Sequence, residues 1–510
     1  MEIKCNKFDI VTEKRVFDQV IEQSIDADFT LPEYLPEISR VLKCTSTPML
    51  ISKSIEGATL SIEGEESIVV IYSDSTGNIS SFEYVIPFAK SIELPQTNLG
   101  FVKVSLKTNY INYRPTGKRK IDVHGAVGIH ICVLYNDGLP VITDLCGSGV
   151  EVQKEKVALT CPCGYFDKSI IIDEELDLNN GAPPITSIVR YKATAEIDEC
   201  KIISGKIITK GEMKLHTVYL SENASGCQKF DAVIPFTQII DASGCDDNCN
   251  CEANVTVSSI ELKPRANTTG EVCTLNLEAK LCIVAKTHCE QSLEIVTDTF
   301  STLYEGEQET KDVYYTKLLE IAEEKFVCKK VLEFTEGTLT QVADMWCEVQ
   351  AGPIKQSDGE YSIGGTVTIC ILGFDCDETA VYFEKPLDFS FPCKIDSKGE
   401  NLTIIPNVRT TESSYILQEQ DKLEVRVELA VRNEVYAENR ICAVTDAKFN
   451  KDKKKSLNKG YALVVYYSTS NELVWDIAKR YNTSVESIKK ANGLESEFVP
   501  DGKMILIPCV

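Results

Sequence analysis

Tyr461-Ala-Leu-Val-Val-Tyr-Tyr467 opens the stretch, residues 461–510, whose pattern points most directly to a fold. Its β-branched and aromatic side chains favour a strand. Apolar residues then recur twice at the spacing of a helix face, which predicts one helix from Val474 and a second that ends near Gly493. Met504-Ile-Leu-Ile507 reads as a closing strand. The segment therefore predicts a small βααβ domain with both helices on one face of a two-stranded sheet.

Three motifs in this segment carry a family resemblance. They are Trp475-Asp-Ile-Ala-Lys-Arg-Tyr-Asn-Thr-Ser484, Ala491-Asn-Gly-Leu494 and Pro500-Asp-Gly-Lys-Met-Ile-Leu-Ile-Pro508. In this order they closely resemble a LysM domain, and the similarity covers the whole C-terminal segment. The resemblance implies the LysM fold and, as one possible ligand class, N-acetylglucosamine polymers.

The loop before the first helix departs from that family. LysM domains that bind such glycans usually have Gly-Asp-Thr-Leu there, and this chain has Asn471-Glu-Leu-Val474. The change removes a conformationally free glycine and introduces apolar Leu473 beside Trp475, which suits a protein partner better than a sugar. The alternative is that Trp475 is only a core residue. The predicted partner-binding residues are Asn471, Glu472, Leu473, Val474, Trp475, Asn492 and Leu494.

A lysine-rich segment, residues 449–460, precedes this domain. It contains Lys451, Lys453, Lys454, Lys455 and Lys459, with Ser456, Asn458 and Gly460 among them. This composition is typical of a solvated linker. A basic contact with an acidic partner through Lys453, Lys454 and Lys455 is the alternative.

Residues 1–448 show internal repetition. Gly64 to Tyr72 is followed by Phe82-Glu-Tyr-Val-Ile-Pro-Phe88, and Gly211 to Tyr219 is followed by Phe230-Asp-Ala-Val-Ile-Pro-Phe236. A looser third copy joins Gly365 to Phe389-Ser-Phe-Pro-Cys393. The recurrence roughly every 150 residues predicts a triplicated domain.

Each copy closes with two more strand-like runs, and residues 421–431 alternate strictly between polar and apolar side chains. The expected fold is therefore mainly β, with three tandem sandwich-like units at 1–147, 148–292 and 293–448, a linker at 449–460 and the LysM domain at 461–510. Within the third copy, Thr316 to Phe326 has a helix-like pattern.

The glycine–strand–tyrosine and Ile-Pro-Phe features, with Leu31-Pro-Glu-Tyr-Leu-Pro-Glu-Ile38 before the first copy, resemble the SPOCS domain of spore coat proteins. Three such units followed by LysM resemble a family of clostridial spore coat morphogenetic proteins. The resemblance implies a protein of the mother-cell cytoplasm that is recruited to the forespore surface. It also implies that the LysM domain binds the ATPase that polymerises as the basement layer of the coat.

Composition restricts the function further. The formal net charge of −24 argues against the broad basic surface that nucleic-acid binding requires. The N-terminus has no hydrophobic signal segment, and no long apolar run could form a transmembrane helix. We therefore expect the protein to stay in the compartment where it is made.

Twenty-one cysteines are scattered through the chain. They are dense at Cys161-Pro-Cys163 and at Cys245-Asp-Asp-Asn-Cys-Asn-Cys251, but neither spot has the Cys-x2-Cys or neighbouring His pattern of a metal site. His124, His130, His216 and His288 lie elsewhere in the sequence. We therefore predict neither a metal nor a cofactor, and interpret these residues as loop thiols that could be cross-linked in an oxidising setting.

Motifs for catalysis are missing from the sequence. It has no Gly-x4-Gly-Lys-Ser/Thr phosphate loop, no Gly-x-Ser-x-Gly elbow and no His-Glu-x2-His pair, so we expect no enzyme. Two functions compete. One is a structural adaptor that captures a coat protein through its C-terminal domain, and the other is a protein that binds peptidoglycan through a LysM groove. The altered loop and the lack of a signal segment favour the adaptor.

Overall fold

The structure is a computed structural model that describes residues 4–95, 100–178, 181–224, 226–267, 270–334, 339–357, 359–398, 401–419, 422–455, 463–469 and 472–508. The described residues are almost entirely strands, with two short helices near the C-terminus. The expected mainly β fold is thereby confirmed.

Eighteen strands form three units of six, which together we call the body. Unit 1 contains β1 (Lys4–Thr30), β2 (Arg40–Glu56), β3 (Thr59–Ser73), β4 (Ile79–Glu93), β5 (Phe101–Gly117) and β6 (Lys120–Cys146). Unit 2 contains β7 (Val150–Asp177), β8 (Ser187–Ile203), β9 (Lys206–Leu220), β10 (Cys227–Asp241), β11 (Asn250–Ala266) and β12 (Val272–Ser301). Unit 3 contains β13 (Tyr304–Glu333), β14 (Gln341–Ser357), β15 (Glu360–Phe374), β16 (Ala380–Cys393), β17 (Leu402–Glu419) and β18 (Lys422–Lys454).

Each unit is a sandwich of two antiparallel three-stranded sheets. The second, third and fourth strands form a meander, and the sixth strand lies between the first and fifth in the other sheet. In unit 1, Ile62 and Val70 of β3 share one core with Val127 and Ile129 of β6. Burial of these alternating apolar residues is what holds the two sheets together.

The repeated glycine and phenylalanine of the sequence motifs are cross-strand neighbours. Gly64 pairs with Phe88, Gly211 with Phe236, and Gly365 with Phe389, in the same register of each meander. A Cβ atom at any of these glycines would overlap the paired ring and a carbonyl of the adjacent strand. The repeated glycine and phenylalanine are therefore explained by a packing requirement that all three units share.

The three units form a ring rather than a string. Their meander sheets meet in one apolar cluster that includes Leu42 of unit 1, Val218 of unit 2 and Leu372 of unit 3. The far ends of the long strands meet in a second cluster, with Ile10 of unit 1 and Ile441 of unit 3 among its members. Since every unit contributes to both clusters, each cluster joins all three units.

Polar contacts reinforce the junction of the meander sheets. Lys43 of unit 1 pairs with Glu384 of unit 3. Between units 2 and 3, Arg190 donates to Asp344 at 2.7 Å, and the guanidinium lies over the Trp346 ring at 4.1 Å. Asp344 is buried, so its charge needs partners of this kind.

Two sequence-based expectations differ from the structure. Thr316 to Phe326 is not helical but lies within β13, where Thr316 pairs with Glu438 and Phe326 with Leu429. Pairing along the whole length of β18 outweighs the local helical pattern. The expected boundaries at 292 and 448 fall inside long strands, because β12 continues to Ser301 and β18 to Lys454.

Candidate functional site

Residues 463–508 form the C-terminal domain. It comprises β19 (Leu463–Tyr467), β20 (Glu472–Leu473), α1 (Val474–Tyr481), α2 (Val485–Asn492), β21 (Phe498–Val499) and β22 (Met504–Pro508). β19 pairs antiparallel with β22, and the helices pack on one face of this sheet around buried Ile477, Ile488 and Ile505. Left-handed residues end both helices, Asn482 after α1 and Gly493 after α2.

Glu472, a predicted partner-binding residue, is engaged within the domain. Its carboxylate accepts hydrogen bonds from the Tyr466 hydroxyl at 2.8 Å and from the Thr469 backbone N–H at 3.1 Å. The bond from Tyr466, with Arg480 beside it, holds the pKa of Glu472 below its ordinary value. The side chain thus ties Tyr466 of β19 and Thr469 to β20, which directly precedes α1.

Other predicted site residues also have structural contacts. Val474 is buried and donates its backbone N–H to the Glu497 carbonyl at 2.8 Å. The Asn492 side chain exchanges hydrogen bonds with the backbone of Leu506, which ties α2 to β22. Leu473 and Leu494 are half-buried against the domain core. The structure brings these residues into one small domain, and their part in partner binding stays a prediction.

Asn471 lies outside the described residues.

Trp475, another predicted partner-binding residue, is buried in this structure. Its side chain is only 8% exposed, and its ring meets Phe300 of β12 edge-on with centroids 5.0 Å apart. The indole N–H donates to the Asp298 carboxylate at 2.8 Å. Phe300 belongs to the same apolar cluster as the core of the C-terminal domain. The helical face that carries Trp475 is therefore docked on unit 2 and unavailable in this arrangement.

Asp298 is the centre of this docking contact. The ammonium group of Lys479 lies 2.7 Å from both of its oxygens, and Gln308 of β13 donates to it at 2.7 Å. Burial would raise the pKa of Asp298, but the hydrogen bonds from Lys479, Trp475 and Gln308 outweigh it and leave the pKa lowered. A second contact joins the Glu151 carboxylate of β7 to the Val485 backbone N–H at 3.4 Å.

The predicted linker lysines are placed differently from one another. Lys453 and Lys454 lie at the exposed end of β18, so this part of the segment is strand rather than linker. Lys455 donates to the Asn482 side chain at 2.7 Å and therefore also contacts the C-terminal domain. Burial lowers the pKa of Lys455. Residues 456–462 lie outside the described residues.

Sequence reasoning missed the outer face of the two-stranded sheet. Leu463, Val465 and Tyr467 of β19 point away from the helices, and Val465 and Tyr467 are 53% and 63% exposed. Met504 of β22 pairs with Tyr467 and is exposed as well. We call these four residues the sheet face. The sequence did indicate this surface, because β19 has apolar residues on both faces. A strand with one exposed face would normally alternate apolar and polar residues.

Neither helix in the described part of the chain has the length and apolar character needed to cross a membrane.

Comparison with known families matches residues 37–114 and 184–264 to the SipL SPOCS domain, and residues 469–508 to the LysM domain. The SPOCS segments cover β2–β5 of unit 1 and β8–β11 of unit 2, that is, the meander and the strand after it. No curated protein and no solved structure matches the chain. SPOCS and LysM are binding and structural domains without catalytic activity of their own. With SPOCS domains in its body and LysM at its C-terminus, the chain matches a SipL-type protein.

Proposed function

We propose that this chain is a non-enzymatic adaptor of spore coat morphogenesis. It acts in the mother-cell cytoplasm and is recruited to the forespore surface. There its LysM domain binds the ATPase of the coat basement layer and so promotes encasement of the spore. The observation that carries the proposal is the sheet face, an exposed apolar surface on the domain that the family resemblance assigns to partner capture.

The chemistry of the sheet face suits a protein partner. Tyr467 offers a large apolar ring with a polar tip, and Leu463 and Val465 lie on the same strand face. Aromatic anchors surrounded by aliphatic side chains are typical of interface hot spots. Phe498 lies on β21, which pairs with β20. It is also exposed and enlarges the apolar surface of the domain.

The body supplies a rigid platform for this surface. The LysM domain is fixed to unit 2 through Trp475, Phe300 and Asp298. A preformed orientation lowers the entropy that binding must overcome. The adaptor therefore presents its partner surface in a defined direction relative to the three SPOCS-like units.

The test measures binding of the purified full chain to the purified coat ATPase by biolayer interferometry. Val465→Asp places a charge in the sheet face and is expected to weaken binding by at least about tenfold. Ile171→Asp is the matched control, because Ile171 is also an aliphatic residue that is more than half exposed, and it lies on β7 in the body. Unchanged binding of both Val465→Asp and Tyr467→Ala would count against the proposal.

Glycan binding is the second candidate, and the LysM match favours it. In this case the full chain should sediment with purified peptidoglycan, and the exposed Phe498 beside the loop before α1 should contribute stacking to the sugar ring. Loss of sedimentation in Phe498→Ala, with ATPase binding unaffected or absent, would place this function above the adaptor.

A further inference from the structure

Seven cysteines from four separate stretches of the sequence gather at one end of unit 2. Cys249 and Cys289 form a disulfide, and Cys163 is a free, exposed thiol beside it. The Cys163 sulfur lies 3.0 Å from that of Cys289 and 3.8 Å from that of Cys249. We call these three residues the thiol cluster. Four more cysteines lie close by in the same unit: Cys161, Cys200, Cys245 and Cys251.

Strand register explains this convergence. β12 lies between β7 and β11, and Cys289 of β12 pairs directly with Cys161 of β7. A bulge at Cys163 interrupts the ladder, since Pro162 and Gly164 pair with consecutive residues of β12. Cys249 immediately precedes β11, whose first residue pairs with His288. The fold thus brings together a cysteine of β7, a cysteine of β12 and the cysteine just before β11. Of these, Cys163 is exposed to solvent.

The spacing of the sulfurs suits a metal ion. All three lie within 4.8 Å of one another. Thiolates bound tetrahedrally to Zn²⁺ at about 2.3 Å are separated by about 3.8 Å, which is the separation of Cys163 from Cys249. Soft thiolate ligands select zinc over magnesium or calcium.

We propose that Cys163, Cys249 and Cys289 bind a Zn²⁺ ion when reduced, with solvent in the fourth position beside the exposed Cys163. The Cys249–Cys289 disulfide is the oxidised, metal-free form of the same centre.

Cys245 is a buried neighbour of the thiol cluster and is not one of the three proposed ligands. It is 5% exposed, lies four residues before Cys249 in the same turn, and its sulfur is 3.4 Å from the Thr287 hydroxyl. Thr287 and Cys289 are two residues apart on β12, so their side chains share a face of the sheet. Cys245 therefore lies on the side of β12 that carries the thiol cluster.

The two forms differ by a balanced redox step. Reduction adds two electrons and two protons to the Cys249–Cys289 bond, which a phosphine supplies as it takes oxygen from water and becomes its oxide. Zn²⁺ then displaces the protons of the three thiols and binds their sulfurs. A two-electron oxidant reverses the step, because formation of the disulfide removes two ligands and releases the ion.

The experiment titrates the full chain, reduced with a phosphine, with Co²⁺ as a spectroscopic probe and then with Zn²⁺. The expected result is one bound ion per chain, with a thiolate-to-cobalt charge-transfer band and intense tetrahedral visible bands that Zn²⁺ removes. Cys163→Ser should weaken metal binding by at least about tenfold. Cys442→Ser is the matched control, because Cys442 is an exposed thiol of β18 in unit 3.

Three outcomes would overturn the proposal. The reduced chain could show no charge-transfer band, Cys163→Ser could bind Co²⁺ as tightly as the parent chain, or the oxidised chain could bind as well as the reduced one. Peptide mapping that found a Cys163–Cys289 bond, together with no metal binding, would instead identify a thiol–disulfide exchange centre. ATPase binding is measured separately, so failure here leaves the proposed adaptor function untouched.

Discussion

The C-terminal domain has one face that is buried against the body and one that is exposed. Its helical face carries Trp475 and Lys479, and both are bound to Asp298 of the body. Its sheet face carries Val465 and Tyr467, both more than half exposed. Both faces carry apolar residues, yet among the residues that the structure describes only the helical face is covered.

This difference shows that a residue typical of the family can be buried against the rest of the same chain. In unit 2 the bulge between Val296 and Asp298 alters the ladder just before Phe300, and there Asp298 accepts the indole N–H of Trp475. An acceptor for the indole and an aromatic ring for edge-on packing are the two features that a buried tryptophan requires. No comparable partner covers the sheet face among the described residues, and for that reason we assign partner binding to it.

The largest effect is expected from Trp475→Ala. Truncating a tryptophan that is 8% exposed removes its packing against Phe300 and leaves a cavity, which typically costs about 3–5 kcal/mol. Hydrogen exchange in the full chain should show loss of protection in α1 and around Phe300. Trp475→Phe, the control, keeps the aromatic contact but loses the bond to Asp298, so its effect should be smaller. Native protection in Trp475→Ala would show that docking does not depend on this ring.

A smaller effect is expected from Asp298→Ala. The change removes the acceptor of both Trp475 and Lys479, and hydrogen bonds to a charged group contribute about 1.5–3 kcal/mol. Because Lys479 is partly exposed, we expect about 1–2 kcal/mol. In a Trp346→Phe background Trp475 is the sole tryptophan, and its fluorescence should shift to the red as the domain undocks.

Asp298→Asn sharpens this test. The amide oxygen can still accept from the Trp475 indole but no longer pairs with the charge of Lys479. An intermediate shift would separate the two interactions, and equal shifts for both variants would assign the whole effect to charge.

Acid should weaken docking in a defined pH range. The pKa of Asp298 is lowered in the folded chain, so its contribution is complete above the ordinary carboxyl value of about 4 and is lost as the pH falls further. Glu151 acts in the opposite sense. Burial, with Glu486 nearby, raises its pKa, so its protonation at somewhat higher pH favours the docked form.

Fluorescence of Trp475 across pH 3 to 7 should therefore show docking that holds or strengthens slightly on acidification and weakens only below about pH 4. In Asp298→Asn the loss at low pH should disappear. Loss of docking that begins near neutral pH would show that neither carboxylate controls it.

Much of this arrangement could be predicted from sequence where the pattern is local or repeated. The βααβ order followed from periodicity at Val474–Tyr481 and Val485–Asn492, and the repeated glycine and phenylalanine followed from their shared register. The ring of units, the docking of Trp475 and the thiol cluster could not be predicted in this way. Each depends on residues more than a hundred positions apart, such as Cys163 and Cys289, that only strand pairing brings together.

The smallest effect on stability is expected from Tyr467→Ala, which changes the exposed sheet face. An exposed side chain that makes few contacts changes the free energy of unfolding by no more than about 0.5 kcal/mol, so hydrogen exchange in α1 and β22 should match the parent chain. Binding to the coat ATPase should nevertheless fall, because the ring is the largest anchor of the sheet face. If Tyr467→Ala lost both stability and binding, the sheet face would be needed for folding of the domain. If it kept both, the partner site would instead lie near Glu472 and Leu473.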